Sequence, residues 1–228
     1  MDHELDGEDA PPRLAIFNID ILATSLPPTH VIPPLLEQFP ELVRSDNPNK
    51  RRAAMAAIGV IMEGAAEFMT TYIEELLPYV FSALRDSESI VVRAALIALS
   101  QITDELPTEV ANHHSALVPE VFELLHSSNM EIMQAACNSL DSILEWIPRD
   151  AVAQYVPKLM EALIFIMSTD VDSDVKRIVA SITCMKFKLT FSCHWDICTC
   201  FNGGLLSISG SHHERILFDE RCRGTRRH

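Results

Sequence analysis

Apolar residues along most of this 228-residue chain recur at steps of three and four, the period of a helix that buries one face. Between positions 133 and 147 they fall at Met133, Ala136, Cys137, Leu140, Ile143, Leu144 and Ile147. The pattern then repeats on a longer scale. Arg52-Ala53-Ala54-Met55 returns 41 residues later as Arg93-Ala94-Ala95-Leu96, after 41 more as Gln134-Ala135-Ala136-Cys137, and after 43 as Arg177-Ile178-Val179-Ala180. A second landmark runs beside it: Pro34, Pro78, Pro119 and Pro157 each lead an apolar stretch, at steps of 44, 41 and 38. Two landmarks recurring together predict a two-part unit of helix, polar turn and helix.

The turns are Ser45-Asp46-Asn47-Pro48, Asp86-Ser87-Glu88-Ser89, Ser127-Ser128-Asn129 and Asp170-Val171-Asp172-Ser173, all rich in residues that cap helix N-termini. The four prolines are expected to open first helices, where a missing N–H costs nothing. Arg52, Arg93, Gln134 and Arg177 are expected in the first turns of second helices. A helix pair with one apolar face per helix cannot bury it alone, so the pairs must stack. The expected fold is all-α: a HEAT/armadillo-type α-solenoid of antiparallel helix pairs, with a lone helix over 13–25 and units over about 28–67, 70–107, 108–148 and 149–185. The lone helix reads as the second half of a further unit. The period excludes the 34-residue TPR and 33-residue ankyrin repeats. Repeat arrays need polar end caps, so Leu163, Ile164, Ile178 and Ile182 of the last unit are expected to be partly uncovered unless the tail shields them.

Composition agrees with helices: Gly is scarce (7), aromatics make up 7% and hydrophobic residues 48%. Charge divides the chain. Residues 185–228 hold seven Lys/Arg and four Asp/Glu, against 11 and 28 in 1–184, so the repetitive part is strongly acidic. Such a surface repels nucleic-acid phosphates and anionic lipid and attracts basic partners. Residues 1–12 form an acidic, disordered-type N-terminus lacking the pattern of a secretory signal, and the longest apolar run, Ala53 to Met62, is too short to span a membrane. Residues 186–228 depart from the repeat and are Cys-, Gly-, Ser- and Arg-rich, an irregular tail foreign to the rest. Its Cys198-x-Cys200 and lone Cys222 do not make paired zinc knuckles. No phosphate loop, nucleophile elbow, His-Glu-x-x-His or dinucleotide fingerprint occurs, so neither catalysis nor a cofactor or metal is expected.

Three strings carry a family resemblance: Ile21-Leu22-Ala23-Thr24-Ser25-Leu26-Pro27-Pro28, Pro48 through Val60 (PNKRRAAMAAIGV), and Arg93 through Gln101 (RAALIALSQ). They are similar to the middle HEAT repeats of importin-β (karyopherin-β) receptors, nearest the importin-four branch, and the resemblance spans roughly Phe17 to Met185. It implies an internal stretch of a nuclear import receptor, shared between cytoplasm and nucleus, that carries basic protein cargo such as histone or ribosomal-protein tails on an acidic concave surface. It also implies release by the Ran GTPase, although nothing in these 228 residues matches the Ran-binding repeats. A HEAT scaffold outside transport, such as a phosphatase regulatory subunit or a microtubule-binding array, remains the alternative. A tubulin-binding array would present basic and aromatic loop residues, which the four turns lack.

Aligned by Arg52, Arg93 and Gln134, the repeats put Glu63, Asp104 and Glu145 at one equivalent position. In the third unit Asn138, Asp141 and Glu145 share a stripe apart from the apolar face, with Trp146 alongside. These six residues are the expected cargo contacts, weighed against a helix face kept acidic only for solubility. Arg52, Arg93 and Arg177 are expected to form a structural inter-repeat ladder with Asp46, Asp86 and Asp172.

Overall fold

The computed structural model describes residues 11–168 and Val175, all within one compact unit spanning Met1–Lys186. Among the described residues there are helices and no strands, as the three-four periodicity requires. α1 is Pro11–Ser25; α2 (Pro28–Val43) pairs with α3 (Pro48–Val60), which α4 (Met62–Met69) extends; α5 (Ile73–Ala83) pairs with α6 (Ser89–Glu105). Next, α7 (Pro107–Asn112) and α8 (His114–Leu124) precede α9 (Met130–Trp146), and α10 (Arg149–Ala153) and α11 (Val156–Ser168) follow. The most extensive contacts join α3 to α6 and α6 to α9, so the second helices stack side by side. First helices pack on their own partners, α2 on α3, α5 on α6 and α8 on α9. This is an α-solenoid of HEAT-type pairs.

The turns explain where second helices begin. Ser45, Asp86 and Ser127, one unit apart, each accept a hydrogen bond from the N–H two residues on, at Asn47 (3.2 Å), Glu88 (2.9 Å) and Asn129 (3.2 Å). Asn47 and Asn129 then cap α3 and α9 by accepting from the N–H groups of Asn49 and Glu131, both at 2.9 Å. Arg52, Arg93 and Gln134 are each the fifth residue of a second helix, just past the first turn in which the sequence reading puts them, while Arg177 lies outside the described residues.

Three of the four prolines are not helix openers. Pro34 lies inside α2, Pro78 inside α5 and Pro119 inside α8, and Pro157 alone stands at a start, the second residue of α11. The helices begin earlier because the apolar face does: Ile73, Leu76 and Leu77 precede Pro78, Leu117 and Val118 precede Pro119, and all five are buried. Pro34 and Pro78 sit on the exposed side, where the carbonyl each leaves unpaired can bond water.

Close approach, rather than bulk, sets the stack. A Cβ on Gly59 would meet the Gln101 side chain and lie 2.9 Å from Ala98 Cα of α6. One on Gly64 would run into the Ala23 carbonyl and stand 2.8 Å from the Thr24 nitrogen of α1. Backbone contact this tight accompanies a break in the first unit's second helix, which is split at Ile61 and non-helical at Ala65 (φ −137°, ψ 16°), while α6 and α9 run unbroken. Across the next interface the buried Ser139 hydroxyl donates to the Leu96 carbonyl at 2.7 Å, tying α9 to α6.

The inter-repeat ion pairs differ from the expected ladder. Arg51, not Arg52, forks onto Asp86 (Nε–Oδ2 2.7 Å, Nη2–Oδ1 2.8 Å) and also donates to the Ser45 and Asp46 carbonyls. Asp46 thus contributes its backbone, and Arg93 pairs with Glu131 of α9 at 3.4 Å. Arg85 forks onto Glu120 in the same way as Arg51 onto Asp86. Arg51 lies one residue, about 100° of helix rotation, from Arg52, enough to aim it at the next turn. Arg52 has no ion pair among the described residues, and Asp172 and Arg177 lie outside them. At the far end Leu163 is buried and Ile164 is 56% exposed, while Ile178, Ile182 and the tail lie outside the described residues.

Two outcomes are expected. The hydrogen bond from Arg51 holds the Asp86 carboxyl below the usual carboxylate range against the opposing effect of burial, as Arg85 does for Glu120. Their contribution is present above the unfolded-state values of roughly 4 and fades as pH falls through the lower folded-state values. Asp86→Asn should therefore flatten the acid limb of a denaturation-midpoint profile, and an unaltered limb would count against the clasp. Gly64→Val should destabilise by about 1–3 kcal/mol through overpacking against α1, measured by urea denaturation.

Candidate acidic surface

The stacked second helices place the expected acidic residues as follows. Glu63 lies in the first turn of α4, Asp104 near the end of α6 and Glu145 near the end of α9, and all three are exposed. Glu63 and Asp104 line one groove of about 430 Å³, whose walls come from α1, from α3 with α4, and from α6. Glu145 is not part of that groove, but its helix packs directly on α6. Asn138 is exposed on α9, Asp141 is half-buried, and Trp146 is 51% exposed rather than packed into the following unit.

Sequence reasoning missed part of the groove. Asp20, Glu105, Gln101, Arg13 and Phe17 also line it, so four carboxylates face one guanidinium. Glu105 adjoins Asp104 in the chain and was within reach of the repeat alignment. The contribution of α1 was not, because a lone helix without a visible partner carries no register telling which of its faces meets α4. The close approach at Gly64 supplies that register, setting α1 against α4 with Phe17 and Asp20 toward Glu63.

Asp141 stands near Cys137, and burial first, then that carboxylate, pushes the thiol up to about 12. Cys137 is therefore a core residue and not a nucleophile at neutral pH. Among the described residues no group of three or more His, Cys, Asp or Glu side chains is arranged to hold a metal ion, and the cysteines of the tail lie outside them. No described helix is long and apolar enough to cross a membrane.

Residues 19–118 match the family model for HEAT repeats of stalled-ribosome-sensor GCN1-like proteins, and residues 91–185 match that of the vacuolar 14 Fab1-binding region. The Schizosaccharomyces pombe protein named probable importin subunit beta-4 is 38% identical over 81 residues, covering 36% of this chain and 8% of that relative. Human importin-4 is 32% identical over 92 residues, 40% of this chain and again 8% of the relative. The chain thus spans under a tenth of the length of these relatives in the matched stretch. Among solved structures, the karyopherin Kap121p bound to the SUMO protease Ulp1p superimposes with a TM-score of 0.78 at 20% identity, over 90% of this chain and 20% of Kap121p. Kap121p bound to RanGTP gives 0.74 at 21% identity, over 81% and 18%. A third, with TM-score 0.73 at 19% identity over 82% and 18%, is a Kap121p mutant with lysine in place of two aspartates and a glutamate. The repeat period, the stacked second helices and the named relatives agree: over the matched stretches this chain is similar to HEAT-repeat proteins of the importin-β type.

Proposed function

We propose that this chain is part of a nuclear import receptor and that Glu63, Asp104 and Glu145 form a row that binds a basic segment of protein cargo. The observation that carries the reading is the side-by-side packing of α3–α4, α6 and α9, with one exposed carboxylate per unit at the same register. Neighbouring packed helices lie roughly 8–10 Å apart, so an extended chain crossing them meets a carboxylate every few residues. Asn138 and Asp141 extend the row along α9, and Trp146 offers an apolar face to a lysine stem. Histone and ribosomal-protein tails have the required chemistry.

Catalysis has no part in this reading: carboxylates in a row provide charge without a nucleophile or a proton relay. Relatives named importins are transport receptors, and the proposal assigns to this chain only the cargo-facing share of that work, without a Ran contact. Exposed pairs contribute about 0.2–1 kcal/mol each and weaken with salt, so affinity must come from the row as a whole. The triple change Glu63→Lys, Asp104→Lys and Glu145→Lys should lower affinity for a lysine-rich peptide by roughly tenfold or more at low salt, followed by fluorescence anisotropy. Moderate salt should narrow the gap. Equal binding by the two proteins would reduce the row to a solubilising surface.

A further inference from the structure

α1 is apolar on two opposite sides. Ala23 is buried, Ile16 is half-buried and Ile19 packs against the core, all on the stripe that meets α3 and α4. On the opposite side Leu14, Phe17 and Ile21, at steps of three and four, form a second stripe, and all three are exposed. A helix needs one apolar stripe to pack on one neighbour, so one with two is built to be covered on both sides. α6 shows that arrangement completed, with α3 on one side and α9 on the other. α1 stands at the edge of the described stack with its outer stripe open. The ten residues before it, MDHELDGEDA, bring five carboxylates and only Met1 and Leu5 as large apolar side chains, the wrong chemistry for such a face.

We infer that α1 pairs antiparallel with α1 of a second copy of this chain about a two-fold axis, Leu14 of each copy lying over Ile21 of the other. Charge selects this face. From Leu14 to Ser25 the one charged residue is Asp20, which lines the groove shared with α4 and α6, whereas the chain as a whole carries −14. Two such chains repel, and the repulsion is least where a charge-free face meets its own copy. The register follows from the stripe itself: setting residue 14 against residue 21 in both directions brings Phe17 of each copy beside Asn18 of the other at the axis. A two-fold contact of this kind closes at two copies, while head-to-tail stacking of α1 on the far end of another copy would continue without limit. With one helix from each side the interface is at the small end of specific ones, and association in roughly the micromolar range is expected.

The test is sedimentation equilibrium of the full chain. The mass should rise from the 25.5 kDa of one chain to twice that across the micromolar range and no further. Added salt should not weaken the pair, because apolar contact holds it and screening lowers the repulsion between copies. Leu14→Glu together with Ile21→Glu should weaken association by roughly tenfold or more, since four carboxylates then enter one contact. Both positions are exposed, and matched melting curves establish that the variant is folded. Geometry is tested separately by mild oxidation and peptide mass mapping: Asn18→Cys should link to its own counterpart, while Ser25→Cys, whose counterpart lies roughly 20 Å away along the axis, should not. A mass that stays at one chain, a mass that climbs past two, a double variant that pairs as wild type does, or equal linking at 18 and 25 would each overturn the inference.

Discussion

The structure depends on how closely the second helices approach one another. α3, α6 and α9 meet through small buried residues: Ala54, Ala57 and Gly59 on the first, Ala94, Ala95 and Ala98 on the second, and Ala135, Ala136 and Ser139 on the third. Larger side chains there would separate the helices and open gaps that no neighbour fills. With small ones the backbones come near enough for Ser139 to donate to a carbonyl of the adjacent helix and for Gln101 to lie over Gly59. Ile58, Leu99 and Leu140 are buried in the same row, where each unit covers what the previous one exposes. The face turned away from this seam then repeats from helix to helix, and a carboxylate once per unit becomes a row.

The first helices and turns serve that arrangement by holding each unit to the next. Arg51 reaches from one turn to the following one, and Asp86 receives it while also closing its own turn onto the Glu88 N–H. Its carboxylate therefore does two jobs that Ser45 and Ser127 share with it only in part. Arg85 repeats the reach with Glu120 as acceptor, and Arg44, one unit earlier, donates to the Tyr79 hydroxyl at 3.2 Å instead. The position is kept while its acceptor changes, as expected where geometry is set by packing and the polar contact supplies local fit.

Much of this was legible in the sequence, for a physical reason: a repeat forces every structural need to be written several times. The 41-residue step, the capping turns and the equivalent register of Glu63, Asp104 and Glu145 could be read that way. What could not be read was whatever occurs once or depends on one residue of rotation. Arg51 and Arg52 look interchangeable in a string of basic residues, and only the direction of the helix face decides between them. The prolines misled because their alignment marks a constant place on first helices, not their starts. The share of α1 in the groove, with Phe17 and Asp20, is set by a backbone contact at Gly64 that no periodicity encodes.

A row of exposed carboxylates on stacked helices has a definite footprint when a basic chain lies across it. Backbone amide shifts in the NMR spectrum of the chain, followed during titration with a lysine-rich peptide, map that footprint residue by residue. The account expects changes concentrated around Glu63, Asp104 and Glu145 on the exposed edges of α4, α6 and α9, declining as salt is added. Changes confined to α2, α5 and α8, or spread evenly over the acidic surface, would contradict it.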